Sequence, residues 1–116
     1  MIILVCGDRE WDNLDVMVRE MEKLPKNCTV VHGAARGADI MAGTIAEELG
    51  MTVVSFPADW KKYGRAAGPV RNRKMFDSSD PDLVLAFHEN IEQSKGTRDM
   101  VNYALKHGCP TKIVDK

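Results

Sequence analysis

Apolar positions along the chain fall into two alternating patterns. Ile2-Ile3-Leu4-Val5-Cys6 is an unbroken apolar run, as expected of a strand covered on both faces. Leu14, Met17, Val18, Met21 and Leu24 then recur at helical spacing, entered through Asp12 or Asn13 and stopped by Pro25. Thr29-Val30-Val31 predicts a second strand. A second helical stripe of Ala38, Met41, Ala42, Ile45, Ala46 and Leu49 follows, closed by Gly50. Thr52-Val53-Val54-Ser55-Phe56 predicts a third strand. The twelve residues from Pro57 to Gly68 show no clear period, and loops of that length in a compact domain are usually functional or disordered. Pro69 suits the first position of a helix reaching about Ser78, and Asp82 to Phe87 reads as a fourth strand. Thr97 is expected to cap, through its hydroxyl, a helix carrying Met100, Val101, Ala104 and Leu105 and ended by Gly108. Thr111-Lys112-Ile113-Val114 is a short last strand.

Strands separated by helices imply right-handed crossovers and a parallel sheet. The expected fold is α/β: one small, doubly wound, Rossmann-like domain over 1–116. About five strands in the order 3-2-1-4-5 carry helices on both faces, with the switch point between strands 1 and 4.

Composition narrows the function classes. The chain has 116 residues and a formal charge of -1, enough for one core without staples. Its pI near 6.3 argues against a nucleic-acid partner, since such domains usually exceed ~9. No apolar run approaches the ~18 residues that span a bilayer, and the start lacks a basic leader, so the expected location is cytoplasmic. Cys6, Cys28 and Cys109 are odd in number and irregularly spaced. They read as core thiols, and with His32, His88 and His107 they suggest no metal site.

In an open parallel sheet, ligands bind beyond the carboxyl ends of the strands near the switch point. Gly7-Asp8-Arg9 follows strand 1, and Gly33-Ala34-Ala35-Arg36-Gly37-Ala38-Asp39 follows strand 2. Asp59 and Trp60 follow strand 3, and Lys95-Gly96-Thr97 lies beyond strand 4. Glycines and alanines before a helix let backbone N–H groups approach an anion, and the helix N-terminus adds about half a positive charge. The alternative is a strand-to-helix turn that needs glycine only for its backbone conformation. Arg71-Asn72-Arg73-Lys74 places cations in the first turns of a helix, where a nearby anion would make them better tolerated. No GxGxxG, GxxxxGK[ST] or GxSxG is present, so hydride transfer, ATP hydrolysis and an esterase elbow lack support. His32 stands where a dinucleotide-binding fold would carry an acidic ribose ligand.

Taken together, GDREW at 7–11, HGAARGAD at 32–39, FPADW at 56–60, GRAAGPVRN at 64–72 and KGT at 95–97 resemble the YspA-like branch of the SLOG superfamily, over Met1 to about Ile113. The resemblance implies a Rossmann-like domain that binds nucleotides or nucleotide-derived ligands at the strand ends. Relatives include the lonely-guy phosphoribohydrolases and the DNA-processing protein A family. The phosphoribohydrolases use a helical arginine, a role open here to Arg71 or Arg73, and a glutamate in PGGxGTxxE. This chain has Gln93-Ser94-Lys95 for PGG and Met100 for the glutamate, while Asp99 is one position early and about 100° away on a helix. That departure weighs against the hydrolase.

The leading expectation is binding, for sensing or sequestration, of a nucleotide or phosphoribosyl-type ligand, with no further cofactor. Gly7 belongs to the same edge. Gly33, Ala34, Gly37, Gly96 and Thr97 would hold phosphate through backbone N–H groups; Arg36, Arg71 and Lys95, helped by Arg9, would supply countercharge. Asn72 lies beside Arg71. Asp39 and Asp59 would accept from ribose hydroxyls or order the arginines, and Trp60 would close over the base. The alternative is hydrolysis of an N-glycosidic bond in a nucleoside monophosphate, with Asp8, Asp39, Asp59 and Asp99 as the available acids. A homodimer is left open, with the helices carrying Met41, Ile45 and Met75 as the contact.

Overall fold

Ile2–Gly7 (β1) runs through the middle of a five-stranded sheet, paired in parallel with Thr29–His32 (β2) on one side and Leu83–Phe87 (β4) on the other. Thr52–Ser55 (β3) adds outside β2, and Thr111–Val114 (β5) outside β4. The order is therefore β3-β2-β1-β4-β5, all parallel, as the alternation of patterns implied. This is a computed structural model, and it describes residues 1–115. Lys116, the last residue of the expected domain, lies outside the described residues.

The strand pleat explains why β1 is apolar throughout. Ile3 and Val5 face Leu14–Glu22 (α1) and Ala38–Glu48 (α2), where Met17, Met21, Ala42 and Ala46 complete one core cluster. Leu4 and Cys6 face Ala67–Ser79 (α4) and Gly96–Lys106 (α5), where Met75, Phe76, Met100, Val101 and Ala104 complete the other. Each fully buried aliphatic side chain of this kind contributes about 1.5–3 kcal/mol. The three cysteines are buried and unbridged. Among the described residues, no helix is long and apolar enough to cross a membrane.

Several local expectations need correction. The stretch from Pro57 to Gly68 is not a plain loop. Asp59 caps a one-turn helix, Trp60–Tyr63 (α3), by accepting from the Lys62 N–H, and a 3-10 turn at Gly64–Ala66 leads directly into α4. That helix starts at Ala67, so Pro69 is its third residue; the first turn of a helix has free N–H groups, and proline costs nothing there. Thr97 does not cap α5. The helix begins one residue earlier, and Ser94 Oγ accepts from the Thr97 N–H at 3.0 Å. Of the two candidate caps for α1, Asn13 is the one used. Met75 is buried between α4 and the sheet, so it cannot serve an outer contact between copies.

Candidate functional site

The chain leaves β1 outward to β2 and β3, then returns across the sheet to β4. The loops after β1 and β4 therefore diverge and open a hollow between them. A cavity of about 510 Å³ lies there, within the range that small-molecule sites occupy. Gly7, Asp8 and Arg9 enter it from β1, Asp39 from α2, and His88 from the end of β4. Trp60, Arg65, Arg71 and Asn72 line the side made by α3 and α4, and Ser94 to Thr97 the side made by the start of α5. A smaller hollow of about 260 Å³ adjoins it, sharing Arg9, Ala35, Trp60 and Arg71 and adding Gly33, Ala34 and Arg36.

Glycine is required where backbones converge. A Cβ on Gly7 would sit 2.6 Å from the Ala38 Cβ, so only glycine lets α2 dock on the end of β1. A Cβ on Gly33 would sit 2.6 Å from Arg71 Cζ. The guanidinium lies flat on that backbone, donating to the Gly33 and Phe56 carbonyls and, from Nε, to Asn72 Oδ1 at 3.0 Å. Burial pulls the Arg71 pKa down from its ordinary value, and the Asp39 charge opposes this. Its Nη2 makes no hydrogen bond among the described residues.

The β2–α2 loop behaves differently from expectation. Asp39 is buried, and its Oδ2 accepts from the Gly33 N–H at 3.0 Å and the Ala35 N–H at 3.3 Å. The Ala34 N–H donates to His32 Nδ1, and the Ala38 N–H to the Asp8 carbonyl. Most of the loop's donors are thus spent inside the protein and cannot cradle a phosphate. Ala34 pays a conformational cost there, with φ at 59°. Gly37 turns the chain at φ 78° against the Asp8 and Arg9 backbone and lies outside both hollows. His32, neutral because burial lowers its pKa, fits against Gly43, which explains a histidine at that strand end.

The donors that remain open lie elsewhere. The Lys95 and Gly96 N–H groups at the start of α5, and the Arg9 N–H, have no acceptor among the described residues. The side chains of Arg9, Arg65 and Lys95 line the cavity and form no ion pair among the described residues. Arg9 Cζ stands 5.6 Å from the Trp60 ring centroid, and the half-exposed indole borders both hollows. Desolvation and the Asp39 charge push the Cys6 thiol upward, so it remains protonated on the floor.

Other nominated residues are committed to the scaffold. Arg36 pairs with Glu10 on the exposed rim. The Asp59 carboxylate is used as the α3 cap. Asn72 is buried, with Oδ1 taken by Arg71 and Nδ2 donating to the Gly96 carbonyl and Asp99. Arg73 forms a two-pronged pair with Asp99 at 2.8 and 2.9 Å and covers the Tyr103 ring, which removes both from the cavity. Asp8, Arg65, His88 and Ser94 line the cavity outside the nominated ligand set, Asp8 being one of the available acids and Arg65 lying within the motif at 64–72. Asp8 and His88 follow the two strands flanking the switch point, a signal the sequence carries; Arg65 lies in the 3-10 turn, whose lack of periodicity gives no direction for the side chain. Among the described residues, no group of three or more His, Cys, Asp or Glu is placed to hold a metal ion.

The family model described as "YspA, cpYpsA-related SLOG family" matches residues 1–63, from β1 through α3. The chain belongs to this SLOG family. It is also 35% identical over 117 residues to the Gene 61 protein of Mycobacterium phage D29, covering 93% of this chain and 91% of that one. That second likeness extends past the SLOG match into the half that supplies most of the α4 and α5 lining.

Proposed function

We propose that this protein binds a nucleotide or nucleotide-derived phosphoribosyl ligand in the cavity at the β1–β4 switch point, as a sensing or sequestering domain. One observation carries the reading: Arg9, Arg65, Arg71 and Lys95 converge on one hollow and form no ion pair among the described residues, beside an exposed indole. A cluster of like charges is unfavourable unless an anion neutralises it, and an Arg–phosphate pair is directional and strong. The phosphate sits at the open Lys95 and Gly96 N–H groups, with the α5 N-terminus adding its partial positive charge. Trp60, already under Arg9, offers a face on which a base stacks.

Calorimetric titration with nucleoside mono- and diphosphates, ADP-ribose and cyclic dinucleotides tests this. Binding of one class, weakened by salt and at least about tenfold weaker in Arg71→Ala, is expected. Absence of heat across the panel overturns the reading.

A hydrolytic version finds support in one arrangement: Asp8 and Asp39 both reach the cavity, whereas Asp59 and Asp99 do not. A carboxylate beside the anomeric carbon is what an oxocarbenium-like transition state needs. Release of free base from AMP, lost in Asp8→Asn, decides for it.

A further inference from the structure

The cations of the cavity explain an anion, but its floor is acidic and needs its own account. Two backbone bonds set three residues of the cavity lining next to one another. The Asp8 N–H donates to the Phe87 carbonyl at 2.8 Å, so His88 follows directly beside Asp8. The Ala38 N–H donates to the Asp8 carbonyl at 3.0 Å, so Asp39 follows on the other side.

Each of the three side chains has one polar atom committed and one open. Asp39 is only 5% exposed, and its Oδ2 takes both loop N–H groups. Its Oδ1 has no donor among the described residues and is the atom left to face the cavity. Asp8 Oδ1 accepts from the Glu10 N–H at 2.9 Å, while its Oδ2 is 3.9 Å from His88 Nε2, too far for a hydrogen bond. His88 Nδ1 accepts from the Asn90 N–H at 2.9 Å, so in the neutral ring the proton is on Nε2. The floor therefore presents two carboxylate acceptors and one N–H donor that meet no partner among the described residues.

A cation would satisfy the carboxylates but would face the His88 N–H and the surrounding arginines. Adjacent hydroxyls satisfy all three groups: one accepts from His88 Nε2 and donates to Asp8 Oδ2 across the 3.9 Å gap, and the next donates to Asp39 Oδ1. We propose that Asp8, Asp39 and His88 form a diol-reading floor, so that the ligand is a ribonucleotide with free 2′- and 3′-hydroxyls and its 2′-deoxy counterpart is rejected. This rests on the nucleotide reading of the same cavity and adds the sugar to it.

The test is calorimetry with AMP, GMP, CMP and UMP, each against its 2′-deoxy counterpart, on the full chain. For any nucleotide that binds, loss of the 2′-hydroxyl should weaken binding about tenfold or more, the usual effect of removing a hydrogen bond to a charged group. Asp8→Ala should narrow that ratio to about threefold or less. Asp39→Asn should do the same while keeping an oxygen for the loop, and Asp8→Ala decides alone if Asp39→Asn does not fold. Equal binding of the ribo and deoxy forms overturns the diol-reading floor and leaves anion binding standing. A full ratio retained in Asp8→Ala also overturns it. No binding by any of these mononucleotides overturns the diol-reading floor, whereas the underlying reading falls only with absence of heat across the wider panel of nucleotides, ADP-ribose and cyclic dinucleotides.

Discussion

Replacing Asp39 with asparagine removes a charge that the fold buries at a cost. Desolvation raises the carboxyl from 3.8 to about 6; hydrogen bonds from Ala35 and Gly33 and the charges of Arg71 and Arg9 oppose this without cancelling it. The folded value lies above the unfolded one. The group therefore favours folding fully below about pH 3.8, and that contribution is lost as pH rises through about 6. Two pKa units correspond to roughly 3 kcal/mol. Asparagine keeps an oxygen for the Gly33 and Ala35 N–H groups and carries no charge to desolvate. Urea unfolding at pH 4 should give nearly equal stabilities for the two proteins. At pH 7.5 Asp39→Asn should be more stable by about 2–3 kcal/mol. Parallel pH profiles for the two proteins would refute the claim that Asp39 is a desolvated, incompletely satisfied carboxylate.

Three further substitutions probe the scaffold around the site. Gly33→Ala places a methyl group against the Arg71 guanidinium and should weaken nucleotide binding in calorimetry by about tenfold, with the fold retained by circular dichroism. Unchanged affinity would contradict the placement of Arg71. Ala34→Gly relieves a left-handed backbone and should raise stability by about 0.5 kcal/mol in thermal melts, since the steric cost slightly exceeds the added chain entropy. A fall of similar size would contradict it. Burial pushes Asp99 upward, but its hydrogen bonds to Arg73 and Asn72 and the Arg73 charge outweigh this and leave its pKa below the ordinary value. Its stabilising contribution is therefore present above the ordinary carboxylate range and lost as pH falls. Asp99→Ala should cost about 1–2 kcal/mol at pH 7 and less at pH 3, read by urea unfolding.

The sheet was legible because its core strands are β-branched runs and its helices carry apolar stripes. The pleat of Ile3, Leu4, Val5 and Cys6 alone implies two covered faces. Cation positions were legible for a related reason: Arg9, Arg71 and Lys95 follow strands or open helices at the edge where a parallel sheet holds its ligands. What the sequence hid is where hydrogen bonds go. The run from Gly33 to Asp39 has the composition of an anion cradle, yet Asp39, in the first turn of the helix that follows, reaches back to take two of the loop's N–H groups. Asn72 and Arg71 are adjacent in the chain and both line the cavity, but the Asn72 amide is consumed by Arg71 and α5. Thr97 fits a capping pattern that Ser94 fulfils, a difference of three residues that propensity does not resolve.

The central claim is that residues far apart in the chain surround one anionic guest at the β1–β4 switch point. Backbone amide shifts, followed by two-dimensional NMR during titration with the nucleotide that binds in calorimetry, test it most directly. The account predicts that the largest changes fall on Arg9, Lys95 and Gly96, with the Arg71 Nε–H moving in step. Changes centred instead on the far end of the sheet, around Asp80, Asp82 and His107, would contradict it.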